Sequence, residues 1–250
     1  EEQPIVLYVD YERSFDPIYA ERLGLNLDDD HFMLVQPDTM EDGFEIIEAL
    51  VKSGKIGLVI FDSETTAPTR SQEESEYGKA GFGPQAKILA DSLRKINIQL
   101  AKYKTSMIVI SQERDNMDVG SHAIKTTGGR ALKFYSSVRM DVRRTETVKS
   151  SGEAVSNKVK IKVVKNKVAP PFKETVVDIV FGQGIDKNAE ILDIAVEKGF
   201  IIKSGAWFSL PDGEKIGQGA ENAKKYINEH EELRERLLKE ITAENNTKNE

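Results

Sequence analysis

Cysteine is absent from the 250 residues, and histidine occurs only three times. No disulfide framework can form, no thiolate can hold a metal, and scattered histidines make no zinc cluster. Any metal chemistry must therefore rest on oxygen ligands. Long apolar runs are missing too. None approaches the roughly 20 residues that cross a bilayer, and the opening EEQPIVLYVD has neither a basic leader region nor a cleavage pattern. A cytoplasmic location with no membrane partner is the expectation.

With 39% hydrophobic residues the chain can bury a sizeable core, as one large domain or as a large and a small one. Acidic residues outnumber basic ones by 42 to 35, a net charge of -7, which on its sum argues against a polyanionic partner. The distribution reverses that argument. Between Lys125 and Lys173 the cations Arg130, Lys133, Arg139, Arg143, Arg144, Lys149, Lys158, Lys160, Lys162, Lys165 and Lys167 face only Asp141, Glu146 and Glu153, whereas the segment from Glu229 onward is acid-rich. A basic middle with an acidic tail suits binding a polyanion and regulating that binding, although a solvated charged surface reads equally well from composition.

Two short β-branched runs, Ile5 to Val9 and Ile56 to Phe61, each end in aspartate and read as buried parallel strands. Between them Phe44, Ile47, Leu50 and Val51 fall at helical spacing, closed by Ser53-Gly54, so the three segments form a βαβ unit. A second helix from about Gln85 to Lys102 carries Leu89, Leu93, Ile96 and Leu100 on one face and feeds a further strand, Met107 to Ile110. The recurrence predicts a doubly wound, mostly parallel α/β sheet. After Gly129 strict alternation takes over, with Val159, Ile161 and Val163 between lysines, and antiparallel strands are expected. The core is placed at residues 1–183, a small α+β C-terminal domain at 184–240 and a disordered tail at 241–250.

Two connections stand apart. Ser71 to Pro84 is glycine-rich, and Glu113 to Gly129 is a long structureless stretch. Both follow strands at the carboxyl side of the expected sheet, where α/β proteins place ligands.

The strand LVIFDS, Leu58 to Ser63, ends in an aspartate suited to water-mediated Mg²⁺ contact in a nucleotide-hydrolysing site. Glu12, closing the neighbouring strand in VDYE, is placed to act as general base on water, or else to serve as a helix-terminal charge or surface ion pair. No G-x-x-x-x-G-K-[ST] phosphate loop occurs. Such a loop normally precedes the strand with the catalytic glutamate, so the chain is expected to begin after it.

Longer segments carry a resemblance. DPIYAERLG (Asp16 to Gly24), QPDT (Gln36 to Thr39), TTGGRALKFYSSVRMDVRR (Thr126 to Arg144), KIKVVKNKVAPPFK (Lys160 to Lys173), GAWFS (Gly205 to Ser209) and GEKIGQG (Gly213 to Gly219) resemble, in order, segments of the bacterial and phage RecA family. The resemblance implies a RecA-like core, shortened at its N-terminus, and a small C-terminal domain. It also implies a DNA-dependent ATPase of recombination, repair and the SOS response, assembling head to tail on single-stranded DNA and engaging double-stranded DNA, with ATP and Mg²⁺ as cofactors. Glu12 then matches the water-activating glutamate, Asp62 the Mg²⁺-contacting aspartate with Ser63 beside it in the nucleotide site, and Asp16 and Tyr19 the adenine-lining residues.

By the same resemblance Gln112 senses the γ-phosphate and relays it to a DNA-binding loop. Lys165 and Lys167 reach the next subunit's ATP, where a cation supplied in trans would stabilise phosphoryl charge. Lys133, Phe134 and Arg139 match the subunit interface, although an edge strand with solvated cations would look similar. The two long connections match the DNA-binding loops. Phe82 and Met117 fall at wedge positions, Gly128 and Gly129 where backbone N–H groups approach phosphate, and Arg94 and Arg114 where its charge can be neutralised. The second loop departs from the family in being one residue shorter and in carrying Glu113, Asp115 and Asp118. Two rivals stand beside this reading: a paralogue without a phosphate loop acting as a non-catalytic DNA-binding or filament-modulating module, and a hexameric helicase of the same fold. The joint presence of Glu12, Asp62, Gln112, Lys165 and Lys167 speaks against the first. GAWFS and GEKIGQG speak against the second.

Overall fold

The computed structural model describes residues 4–75, 83–114, 125–126, 131–150 and 152–247. It divides into two compact units, Glu1–Arg139 with Lys165–Ala169, and Met140–Val164 with Pro170–Glu250.

The first unit is built on β1 (Ile5–Asp10), α1 (Pro17–Arg22), β2 (Phe32–Val35), α2 (Met40–Val51), β3 (Ile56–Asp62), the short α3 (Arg70–Glu73), α4 (Gly83–Tyr103) and β4 (Ser106–Val109). The strands form a parallel sheet in the order β2-β1-β3-β4. The parallel α/β expectation holds, with one correction to the proposed unit: β2 intervenes between β1 and α2, so α2 crosses over from β2 to β3. Four residues, FMLV, are too short a run to show a period. What makes them a strand is pairing, Val6 with Phe32 through Val9 with Val35.

Leu7, Val9, Val59 and Phe61 from the strands pack against Met40, Phe44, Ile47 and Val51 of α2 and Leu89, Leu93 and Ile96 of α4. Each such buried side chain contributes roughly 1.5–3 kcal/mol relative to exposure. Thr39 caps α2 by accepting from the Asp42 N–H, and Glu41 and Asp42 complement the helix N-terminus. Gly43 in α2 leaves room for the Tyr11 hydroxyl, which a Cβ there would displace.

Beyond β4 the chain makes a two-residue ladder, β5 (Glu113–Arg114) with β6 (Lys125–Thr126). The connection predicted as structureless is thus pinned at its base. Then α5 (Ala131–Tyr135) packs Leu132 and Tyr135 on the first core.

The second unit holds the antiparallel sheet β10-β9-β8-β7, made of β7 (Val138–Ser150), β8 (Glu153–Asn166), β9 (Glu174–Val180) and β10 (Gly184–Ile185). Val159 faces Val177 across β8 and β9, with Lys158, Lys160 and Lys162 between the apolar positions, as the alternation predicts. After this come α6 (Lys187–Lys198), the small sheet β11 (Ile202–Ser204), β12 (Trp207–Ser209) and β13 (Lys215–Gln218), and helices α7 (Ala220–Glu229) and α8 (Glu231–Thr247). Asp186 caps α6, and Gly199 closes it at φ 80 in the left-handed region that glycine tolerates. The last helix continues to Thr247, so that residues 241–247, where composition predicts a disordered tail, are helical. Leu233, Leu237 and Ile241 recur every four residues and are buried together with Ile191, Leu192 and Ile227, which carries the helix onward.

Candidate functional site

The parallel sheet delivers its chemistry at the carboxyl ends of β1 and β3, which are in register so that Asp10 pairs with Asp62. Glu12 lies two residues beyond β1 and is exposed. Two donors from separate segments converge on one of its oxygens: the Ser63 hydroxyl at 3.0 Å and the Gln112 side-chain amide at 2.6 Å, both to Oε1. Ser63 is itself fixed by Thr66, whose hydroxyl lies 3.1 Å away. Gln112 is anchored through its backbone N–H, which donates to Thr65 Oγ1 at 3.0 Å. Residues 51 and 100 positions from Glu12 in sequence thus meet on a single carboxylate.

Asp62 accepts a 2.7 Å hydrogen bond from the Tyr8 hydroxyl. Burial holds its carboxyl above the ordinary aspartate range. The Tyr8 hydrogen bond works the other way, and the negative charges of Glu12 and Asp10 add to the upward push. Asp10 is buried; its Oδ2 accepts from the Gln36 amide at 3.0 Å and the Phe15 N–H at 3.2 Å, while Oδ1 has no hydrogen-bond partner among the described residues. The peptide bond joining Asp62 to Ser63 is cis.

Asp16 is the N-cap of α1, accepting from the N–H groups of Ile18 and Tyr19, with Pro17 opening the helix. It is exposed, and Tyr19 is half-buried on the same short helix.

The cations form a second grouping within the first unit. Lys165 Nζ donates to the carbonyl oxygens of Lys133 at 2.6 Å and Phe134 at 3.3 Å, at the end of α5, where cations complement exposed carbonyls. Its pKa is lowered by desolvation and then by the like charges of Lys167 and Arg139. Phe134 is 70% exposed on the same helix. Lys165 thus meets Lys133 and Phe134 directly, while Lys167 and Arg139 act on it only through their like charge.

Arg94 is not drawn into either group. It pairs with Asp91 at 2.8 Å on the exposed surface of α4. Phe82, Met117, Gly128 and Gly129 lie outside the described residues, and the backbone of Arg114 pairs with Lys125.

Sequence reasoning missed Tyr8, Asp10, Gln36, Glu64, Thr65, Gln85 and Ser111. Gln36 opens the QPDT segment, so its resemblance was visible but its partner was not. Tyr8 and Asp10 sat in the strand reading as one core position and one terminator. Nothing in single-sequence pattern tells a strand tyrosine that meets an aspartate from one that merely packs.

A family model of the RecA N-terminal domain matches residues 1–186, and one of the RecA C-terminal domain matches residues 189–246. The chain belongs to the RecA family. It is 46% identical over 239 residues to Protein RecA of Limosilactobacillus reuteri, covering 95% of this chain and 65% of that one. It is 48% identical over 227 residues to Protein RecA of Oceanobacillus iheyensis, covering 90% and 65%, and 47% identical over 235 residues to that of Lactiplantibacillus plantarum, covering 94% and 61%. The chain therefore spans a little under two thirds of the length of these RecA relatives. A crystal structure of the RadB recombinase superposes with a TM-score of 0.50 at 21% identity, covering 73% of this chain and 78% of that one, a likeness of fold. Among the described residues, no helix is long and apolar enough to cross a membrane.

Proposed function

We propose that this chain carries the water-activating face of a DNA-dependent ATPase that assembles head to tail on single-stranded DNA and exchanges strands with a duplex. The observation that carries the reading is the convergence of Ser63 and Gln112 on Glu12 Oε1 beside Asp62. Two donors fix the carboxylate through one oxygen, and the group so held would take a proton from an attacking water. Gln112 immediately precedes β5, so a change in what its amide bonds is transmitted to the base of the loop read as DNA-binding.

ATP and Mg²⁺ fit what is present. The donor set at the strand ends is all oxygen, and Asp62 is half-buried with one oxygen held by Tyr8. Among the described residues no three carboxylates or imidazoles stand close enough to ligate an ion together. When bound, Mg²⁺ supplies charge neutralisation on the phosphates. Asp62 and Ser63 would hold that end of the nucleotide, and Asp16 and Tyr19 the base. Lys165 and Lys167 would act on a neighbouring subunit's nucleotide, with Lys133, Phe134 and Arg139 in the docking surface. Phe82 and Met117 would wedge between bases, while Arg94, Arg114, Gly128 and Gly129 contact phosphates.

The test is a chain extended ahead of residue 1 by a segment carrying a phosphate loop. Phosphate release stimulated by single-stranded DNA, and lost in Glu12→Gln, is the expected result. Hydrolysis indifferent to both overturns the reading.

A further inference from the structure

Glu64 is a glutamate with 0% exposure, immediately after the Asp62-Ser63 pair that the site uses. Burying a carboxylate is costly, and hydrogen bonds offset part of that cost. The bonds of Glu64 reach the segment leaving β4, the first turn of α4 and the neighbouring Thr65 hydroxyl, which donates to Glu64 Oε1 at 3.5 Å. The Glu64 backbone N–H donates to the Ile110 carbonyl at 3.0 Å, and the Ser111 hydroxyl donates to Glu64 Oε1 at 2.6 Å, so both chain and side chain of Glu64 grip the segment leaving β4. The Glu64 carbonyl accepts from the amide of Gln85, a buried residue in the first turn of α4, which also donates to the Ala67 carbonyl at 3.1 Å. Thr65 completes the bracket: its hydroxyl oxygen accepts from the Gln112 N–H at 3.0 Å.

Gln112 follows Ser111, and its amide lies 2.6 Å from Glu12 Oε1. A residue held at its own backbone N–H and by its preceding side chain has few ways to place its amide elsewhere. We propose that Glu64 and Thr65 are positioning residues that aim the Gln112 amide at Glu12, with Glu64 also tying that arrangement to the start of α4 through Gln85. The proposal rests on the reading of Glu12 and Gln112 as the working pair, and it adds the part that sets their distance. Nothing about the residue types alone announces it: a buried glutamate after a core strand and a serine before a glutamine become a device only when β3 and β4 lie side by side.

The experiment uses the 250-residue chain and the side-chain amide signal of Gln112 in nitrogen-edited NMR, assigned by its loss in Gln112→Glu. In the unsubstituted chain the Gln112 signal should be shifted from free glutamine and should move on Glu12→Ala. Ser111→Ala and Thr65→Val should each move the Gln112 signal toward its Glu12→Ala position and speed exchange of its protons about tenfold, the effect of releasing one hydrogen bond to a charged group. Ser111→Thr and Thr65→Ser, which keep the hydroxyl, should restore the original signal. Because Glu64→Ala leaves a cavity and is prone to misfold, Glu64→Gln serves instead; it should give an intermediate shift with the far-ultraviolet circular dichroism unchanged. If the Gln112 amide keeps its signal and exchange rate in both Ser111→Ala and Thr65→Val, the bracket only fills space and the proposal is overturned. Failure of the functional reading has a separate signature: a phosphate-loop-extended chain that neither hydrolyses ATP nor responds to single-stranded DNA, while the Gln112 signal still answers to Ser111 and Thr65.

Discussion

The Tyr8 hydroxyl donates a 2.7 Å hydrogen bond to Asp62 Oδ2 across the paired strands β1 and β3, 54 residues apart in sequence. It partly offsets the burial and the neighbouring negative charges that raise the Asp62 pKa. A carboxyl whose pKa is raised by folding favours the native state while protonated, and that contribution is lost as pH rises through the folded value. Asp62→Asn should therefore raise the melting temperature at pH 7 and lose that advantage as the pH falls below about 4, where the free carboxyl is also protonated. Tyr8→Phe should cost about 1.5–3 kcal/mol in urea unfolding at pH 7, the net worth of one hydrogen bond to a charged group. An equal Asp62→Asn effect at both pH values would mean that the charge at Asp62 is unstrained.

Hydrolysis separates the chain from its extension. The 250 residues contain no phosphate loop, so alone they should give no DNA-stimulated phosphate release. In the extended chain, Glu12→Gln should lower kcat by roughly 10²–10⁴-fold, the range for losing a positioned general base, with little change in nucleotide affinity. A parallel loss of affinity would assign Glu12 to binding.

Catalysis across a subunit boundary has its own signature. In the extended chain Lys165→Ala and Lys167→Ala should each abolish turnover, yet mixing either with Glu12→Gln should recover part of it. Some junctions then pair an intact glutamate with intact lysines, which neither parent filament contains. Turnover measured against mixing ratio should pass through a maximum. A flat zero would keep the lysines within their own subunit, where Lys165 already meets the end of α5.

DNA binding can be dissected by salt. Arg114→Ala should weaken single-stranded DNA binding and reduce its salt slope by up to about one unit, because one phosphate contact releases roughly one counterion. Phe82→Ala should leave the slope unchanged and lose stacking on the order of 1–3 kcal/mol. If Phe82→Ala instead lowers the melting temperature without DNA and leaves binding intact, Phe82 belongs to the core.

Much of the architecture was legible because its signals are local. Aspartates closing β1 and β3 followed from apolar runs bounded by polar turns, and α2 and α4 from apolar spacing. β2 escaped because four residues show no period. The helical reach of α8 escaped because charged composition outweighed the four-residue recurrence of Leu233, Leu237 and Ile241.

For the site, residue types and chain order by themselves determined the family, the parallel sheet and the candidates Glu12, Asp62 and Gln112. Those are properties of segments, written in spacing and composition. Which atoms meet was decided only by the tertiary structure: Gln112 and Ser63 on one oxygen of Glu12, Tyr8 on Asp62, Glu64 between Gln85 and Ser111. Hydrogen bonds between residues 51 or 100 positions apart depend on the register of parallel strands and on the burial of the groups concerned. Neither exists until the sheet has closed around its core.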